Sequence, residues 1–165
     1  MSESLPLMLK ELRLPAFGQY YQDYQSRASE HAWSYSQYLA ALCEQEIAQR
    51  FQSRISSWTR EAKLPRGKSF ATLALNDLPQ AVQKKTIALR DNTQWAHQAD
   101  NILLIGPSGV GKSHIAAALG LHLIEQGIRV KWMPATALVQ HLQQAKKDLV
   151  LMTAMTRLDK YRVLI

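Results

Sequence analysis

A chain of 165 residues with 47% hydrophobic content can bury a core, which sets aside wholesale disorder, and holds one ordinary domain or a small domain plus part of a larger one. Its formal charge of +7 points to an anionic partner, nucleic acid first. The sole cysteine, Cys43, excludes an internal disulfide and a cysteine-based zinc site, and no apolar run reaches the roughly 18 residues that span a bilayer.

Charges also interrupt the opening MSESLPLMLKELRL where a signal peptide needs an apolar stretch. The expectation is a soluble, cytoplasmic protein without membrane contact. His31, His97, His114, His122 and His141 are scattered without metal-ligand spacing and read as surface or helix-face residues.

In chain order, Leu5, Met8, Leu9 and Leu12 recur at helical spacing and predict a first helix, interrupted by Pro15. A second short helix follows through Phe17, Tyr20, Tyr21 and Tyr24. Ser34-Tyr-Ser-Gln37 has the form of a capping box and opens an amphipathic helix of about 27 residues that ends before Pro65. Leu39, Leu42, Cys43, Ile47, Phe51, Ile55 and Trp58 form its expected buried stripe.

Between Arg50 and Lys68, at the end of this helix and its exit, six cations, Arg50, Arg54, Arg60, Lys63, Arg66 and Lys68, stand against one acid, Glu61. The cluster reads equally as a solvated helix end complementing the C-terminal dipole or as a surface for a DNA phosphate backbone. Pro65-Arg-Gly67 is the expected joint. Beyond it, Asn76 or Asp77 is placed to cap a helix that starts at Pro79 and runs through Val82, Ile87 and Leu89. Trp95 and His97 stand where they would lie beside a bound base or pack under the next strand.

Asn101 to Ser113, NILLIGPSGVGKS, carries the most chemistry. An apolar run, Ile102 to Ile105, reads as a strand; Gly106, Pro107, Ser108, Gly109, Val110 and Gly111 as a phosphate loop; and Lys112 and Ser113 as the start of a helix. A triphosphate needs close donors that do not titrate away, and backbone N–H groups at a helix N-terminus provide them. Glycines permit the turn and the close approach. In this pattern Lys112 reaches the β- and γ-phosphates of ATP and the Ser113 hydroxyl ligates Mg²⁺.

After the loop, Ile115, Ala116, Leu119, Leu123 and Ile124 predict a helix with a buried face and Gly127 as its C-terminal stop. Ile128 to Met133 reads as a strand ended by Pro134. Thr136 is expected to cap a helix carrying Leu138, Val139 and Leu142, and a further helix runs through Leu149, Met152 and Met155. Arg162 to Ile165 begins another strand. The alternation predicts an α/β fold with a parallel sheet.

Nearly the whole chain resembles the IstB-like ATP-binding proteins that assist insertion-sequence transposition, relatives of the DnaC-type helicase loaders among the AAA+ ATPases. The resemblance rests on LKELRLPAF, YLAALCEQEIAQRFQSRISSWTREAKLP with its Glu46-x-x-x-Arg50, LPRGKSF, the NILLIGPSGVGKSHIAAALG block, and GIRVKWMPATALVQHL followed by LDKYRVLI. It implies a helical DNA-binding region, residues 1–68, joined to the first part of a P-loop AAA+ domain, residues 69–165. It also implies assembly of several copies on DNA with ATP and engagement of a transposase subunit.

In that family the strand at Arg162 to Ile165 runs on into an acidic pair that organises Mg²⁺ and polarises water. No such pair, sensor strand or arginine finger is identifiable here, and no catalytic residue is assigned. The expectation is a truncated protein whose nucleotide binding is weakened and whose hydrolysis is nearly absent. Its sheet should carry a gap or pair its strands differently, because the family's strand between the phosphate-loop strand and the one at Val163 comes from later sequence. The other readings are a nonenzymatic DNA-binding fragment that ignores ATP and a small-molecule kinase, for which the helical region supplies no substrate pocket.

Overall fold

Pro15 starts a helix. In the computed structural model, which describes residues 4–165, α1 spans Ser4–Glu11 and α2 spans Pro15–Glu30. Proline at the first helical turn loses no hydrogen bond and has its φ already set. The capping box forms as expected: Gln37 N donates to Ser34 Oγ at 3.2 Å and Ser34 N to Gln37 Oε1 at 2.8 Å. From it runs α3, Tyr35–Ala62, of 28 residues. The chain separates into two compact units inside this helix, the first ending at Arg54 and the second covering Ile55–Ile165.

In the first unit the expected stripe on α3 is narrower than its sequence suggests. Leu42 is buried, whereas Leu39, Ile47 and Cys43 are exposed. The other inward position is polar: Glu46 is only 4% exposed. Its Oε2 accepts from the buried Ala16 N at 2.8 Å, and its Oε1 accepts from Arg50 Nε at 2.7 Å. Arg50 Nη2 in turn donates to Arg13 O at 2.7 Å. The carboxylate thus satisfies an orphan N–H at the start of α2 and faces the positive end of that helix dipole. Glu46 and Arg50 together hold the α1–α2 turn, with the buried Leu42 one turn before Glu46.

In the second unit, α4 spans Gln80–Asp91, α5 Gln94–His97, α6 Lys112–Glu125, α7 Ala135–Lys147 and α8 Leu151–Leu158. Two short strands, β1 (Val130–Lys131) and β2 (Val163–Leu164), pair in parallel with Val130 opposite Val163. Helices α7 and α8 form the crossover that a parallel pair requires. Backbone bonds continue the pairing at both ends, from Arg162 N to Arg129 O and from Met133 N to Ile165 O, each 2.8 Å. Ala62, Ala96, Leu123, Ile124, Ile128 and Val130 make the buried cluster, and Trp58, Leu64, Trp95 and Ile165 pack against it. Trp95 therefore takes the packing role, with its Nε1 donating to Leu89 O at 2.9 Å. Gly127, at φ +81°, stops α6 as expected: Gly127 N bonds Ile124 O and Ile128 N bonds Leu123 O, the paired bonds of a Schellman motif.

The α/β class holds, as a mostly helical unit around an incomplete parallel sheet. Three local expectations are corrected. Ile102–Ile105 joins no ladder among the described residues, although it keeps a strand's alternation: Ile102 and Leu104 are half-buried while Leu103 and Ile105 are exposed. Ile102 and Leu104 share with Val163, Leu164 and Ile165 the lining of a cleft of about 170 Å³. Asn76 and Asp77 lie in a 3-10 turn, Leu75–Asp77, and do not cap α4. Thr136 lies within α7 and does not cap it. In both cases a proline, Pro79 or Pro134, holds the N-cap position without a side-chain bond; its fixed φ lets the helix begin at the next residue.

Substitutions at two positions test this packing. Glu46→Leu leaves the buried Ala16 N–H without an acceptor and is expected to cost about 1–3 kcal/mol in urea unfolding, with Glu46→Gln recovering part of it. On α6, a Cβ added at Gly120 would meet Ile165 Cδ1 at 2.7 Å and Leu64 Cδ2 at 3.0 Å. Alanine would offset that contact with a helix-propensity gain of about 1 kcal/mol. Gly120→Val has no such offset and is expected to lose about 1–3 kcal/mol by overpacking; an unchanged unfolding midpoint would contradict the close approach of α6 to β2.

Candidate functional site

Backbone conformation, more than side-chain chemistry, shapes the loop from Gly106 to Gly111. Gly109 at φ +85° and Gly111 at φ +91° are left-handed, and Gly111 is the N-cap of α6. A Cβ at Gly111 would reach only ordinary contact with Leu78 Cδ2, at 3.8 Å. Dihedral freedom is therefore what demands glycine there. Pro107, Ser108 and Val110 are exposed along the loop.

Lys112 opens α6 and folds back over the turn. Its Nζ donates to Gly106 O at 2.7 Å and also to Pro107 O. The ammonium thus sits inside the mouth of the loop, beside the unpaired N–H groups and positive dipole end of α6. Ser113 follows, exposed at the same helix end. All eight residues expected from the sequence, Gly106 to Ser113, therefore come together in one turn. Such a turn can hold a multiply charged anion, and its lysine and hydroxyl are the donor types that accompany a phosphate-bound Mg²⁺. Among the described residues no group of three or more His, Cys, Asp or Glu side chains is placed to hold a metal.

The sequence reading missed a cleft of about 400 Å³ beside the loop, where Leu78, Val82, Leu89 and Ile102 line apolar walls next to Gly106 and Lys112. No motif marks these residues. Their signal is only the apolar character of the segment before the loop.

The six expected DNA contacts fall in two places. Arg60, Lys63, Arg66 and Lys68 line one open groove of about 800 Å³, with Leu121 of α6 on its wall. Arg50 and Arg54 belong to the first unit. Arg50 is tied to Glu46 and to the Arg13 carbonyl, and Arg54 is exposed. The groove gathers four cations because α3 ends there: Lys63, at φ +57°, turns the chain out of the helix, and Gly67, at φ +73°, turns it again.

The intervening acid, Glu61, is already paired. Its Oε1 accepts from Tyr161 Oη and its Oε2 from Arg129 Nη2, each at 2.7 Å. The Tyr161 hydrogen bond first, and the Arg129 guanidinium second, hold its carboxyl below the usual value. Burial, followed by the bond to Glu61, raises Tyr161. Arg129 also lies over the Trp58 and Tyr161 rings at 5.4 and 5.5 Å.

The family of IstB-like ATP-binding proteins matches residues 7–165. An insertion sequence ATP-binding protein of Sinorhizobium fredii is 40% identical over 161 residues, covering 98% of this chain and 54% of its own length. The insertion sequence IS21 ATP-binding protein of Pseudomonas aeruginosa is 28% identical over 161 residues, 98% of this chain and 60% of its own. The insertion sequence IS1162 ATP-binding protein of Pseudomonas fluorescens is 28% identical, covering all of this chain and 71% of its own. The chain thus spans little more than half the length of the first two. No helix among the described residues is long and apolar enough to cross a membrane.

Lys112→Ala removes a charged donor from the loop mouth without altering a glycine. A fluorescent ATP analogue is expected to bind this variant at least about tenfold more weakly, the loss of one charge-assisted contact. Equal affinity would remove Lys112 from the site.

Proposed function

The chain belongs to the IstB-like ATP-binding protein family, and from that premise we propose that it binds ATP with Mg²⁺ at Gly106 to Ser113 and duplex DNA in the cationic groove, as a helper of insertion-sequence transposition. One observation carries the nucleotide reading: the Lys112 ammonium rests on two carbonyls inside a turn of left-handed glycines at a helix N-terminus. An arriving β- or γ-phosphate would exchange with the Gly106 and Pro107 carbonyls as its partner. Backbone N–H groups of the loop and the first turn of α6 would hold the remaining phosphate oxygens. Ser113 would contribute its hydroxyl to Mg²⁺, whose other ligands would come from phosphate and water. The apolar cleft at Leu78 and Val82 suits the flat face of a base.

Mg²⁺ supplies charge neutralisation along the phosphates. With no assigned water-activating carboxylate in these 165 residues, nucleotide binding is expected to exceed hydrolysis as their measurable activity. The relatives are named as ATP-binding proteins of insertion sequences, which supports the transposition setting. A transposase subunit and further copies of the chain are its expected protein partners, and the cytoplasm its compartment.

For DNA, the lysines and arginines of the groove would meet the phosphate backbone as charge, so affinity should depend on salt far more than on sequence. In fluorescence anisotropy with a labelled duplex, neutralising Arg60, Lys63, Arg66 and Lys68 to alanine together is expected to flatten the log–log salt slope by about 3 to 4. An unchanged slope would sink the assignment of DNA to this groove.

A further inference from the structure

The nucleotide loop and the cationic groove meet on one helix. Leu121 of α6 lines the groove alongside Arg60, Lys63, Arg66 and Lys68. Nearer the start of α6, His114 follows Ser113 directly, and its Nε2 lies 3.1 Å from Ser69 O and 3.1 Å from Thr72 Oγ1. A carbonyl only accepts, so Nε2 carries the proton and donates. Thr72 Oγ1 is itself committed: it accepts from Ser69 N at 3.0 Å and donates to Gly67 O at 2.7 Å. The segment Gly67–Thr72 is therefore knotted onto one side chain of the first turn of α6, and this segment carries Lys68 and begins next to Arg66.

We propose that His114 is a positioning residue that couples the two sites: it fixes the groove's exit loop to the same helical turn that presents Ser113, so that nucleotide at the loop strengthens anion binding in the groove. The coupling rests on the reading of both sites given above. A ligand that orders the first turn of α6 limits the positions open to the His114 ring. The ring limits Ser69 and Thr72, and Arg66 and Lys68 then lose less freedom on meeting phosphate. Linkage requires the reverse effect to be equal: DNA must raise nucleotide affinity by the same factor.

Duplex-DNA affinity of the 165-residue chain, measured by anisotropy with and without ATPγS and Mg²⁺, tests this directly. The wild-type chain is expected to bind DNA about fivefold or more tightly with nucleotide, the lower end of ordinary coupling. His114→Ala should keep nucleotide affinity within about threefold yet bring that ratio close to one. Thr72→Val, which leaves Ser69 O to the ring but releases the bonds to Ser69 N and Gly67 O that knot the segment, should lower the ratio as well, and His114→Gln, whose amide can still donate, should retain most of it. Circular dichroism and unfolding midpoints establish that the variants are folded. A wild-type ratio retained in both His114→Ala and Thr72→Val would overturn the coupling role, as would a wild-type ratio of one. In either case DNA binding itself would leave the groove reading intact, whereas no DNA binding with or without nucleotide would overturn that reading and the coupling with it.

Discussion

Helix α6 is constrained on almost every side, and the second unit depends on that constraint. Ile115, Ala117, Ala118, Leu119, Gly120, Leu123 and Ile124 are all buried along it, more than one amphipathic stripe would hide. Small residues on one side, Gly120 above all, let Ile165 and Leu64 approach its backbone. Larger residues at its C-terminal end join the central cluster. A helix gripped this way cannot shift without disturbing the core. The core thus anchors it from Ile115 onward, a platform on which the more exposed first turn and the loop before it end.

That platform explains how a loop made largely of exposed residues can keep a specific form. Gly109 and Gly111 provide left-handed turns at little steric cost, but freedom alone would give many conformations. The Lys112 ammonium on the Gly106 and Pro107 carbonyls closes the turn upon itself. The same contact limits what the loop can be used for. A ligand must offer Lys112 something better than two carbonyls, and a charged phosphate oxygen meets that requirement where a neutral polar group does not.

Much of this was legible in the sequence, for identifiable reasons. The capping box at Ser34 and Gln37, the stop at Gly127 and the loop at Gly106 to Ser113 are local devices whose residues lie within a few positions of one another. What stayed hidden depends on partners distant in the chain. The burial of Glu46 follows from Ala16, thirty residues earlier, and a hydrophobic periodicity cannot announce a carboxylate as an inward position. The prolines at 79 and 134 outcompeted Asn76, Asp77 and Thr136 for the helix starts, because a preset φ acts without a side-chain bond. The apolar run Ile102–Ile105 carries a strand's composition, but a ladder needs a neighbour at hydrogen-bonding distance.

The cationic cluster illustrates the difference between composition and placement. In the sequence its six members read as one run, as compatible with a solvated helix end as with a phosphate-binding surface. Three-dimensional placement divides them. Arg50 spends its guanidinium on Glu46 and the α1–α2 turn, so the Glu46-x-x-x-Arg50 spacing is explained by holding one unit together. Beyond the end of α3, two left-handed residues, Lys63 and Gly67, bend the chain so that Arg60, Lys63, Arg66 and Lys68 border a common groove. The one acid among them has its charge taken up by Arg129 and Tyr161. A solvated helix end requires neither the convergence nor the neutralised acid, whereas a surface for a polyanion gains from both, since each lowers the repulsion an approaching phosphate would meet.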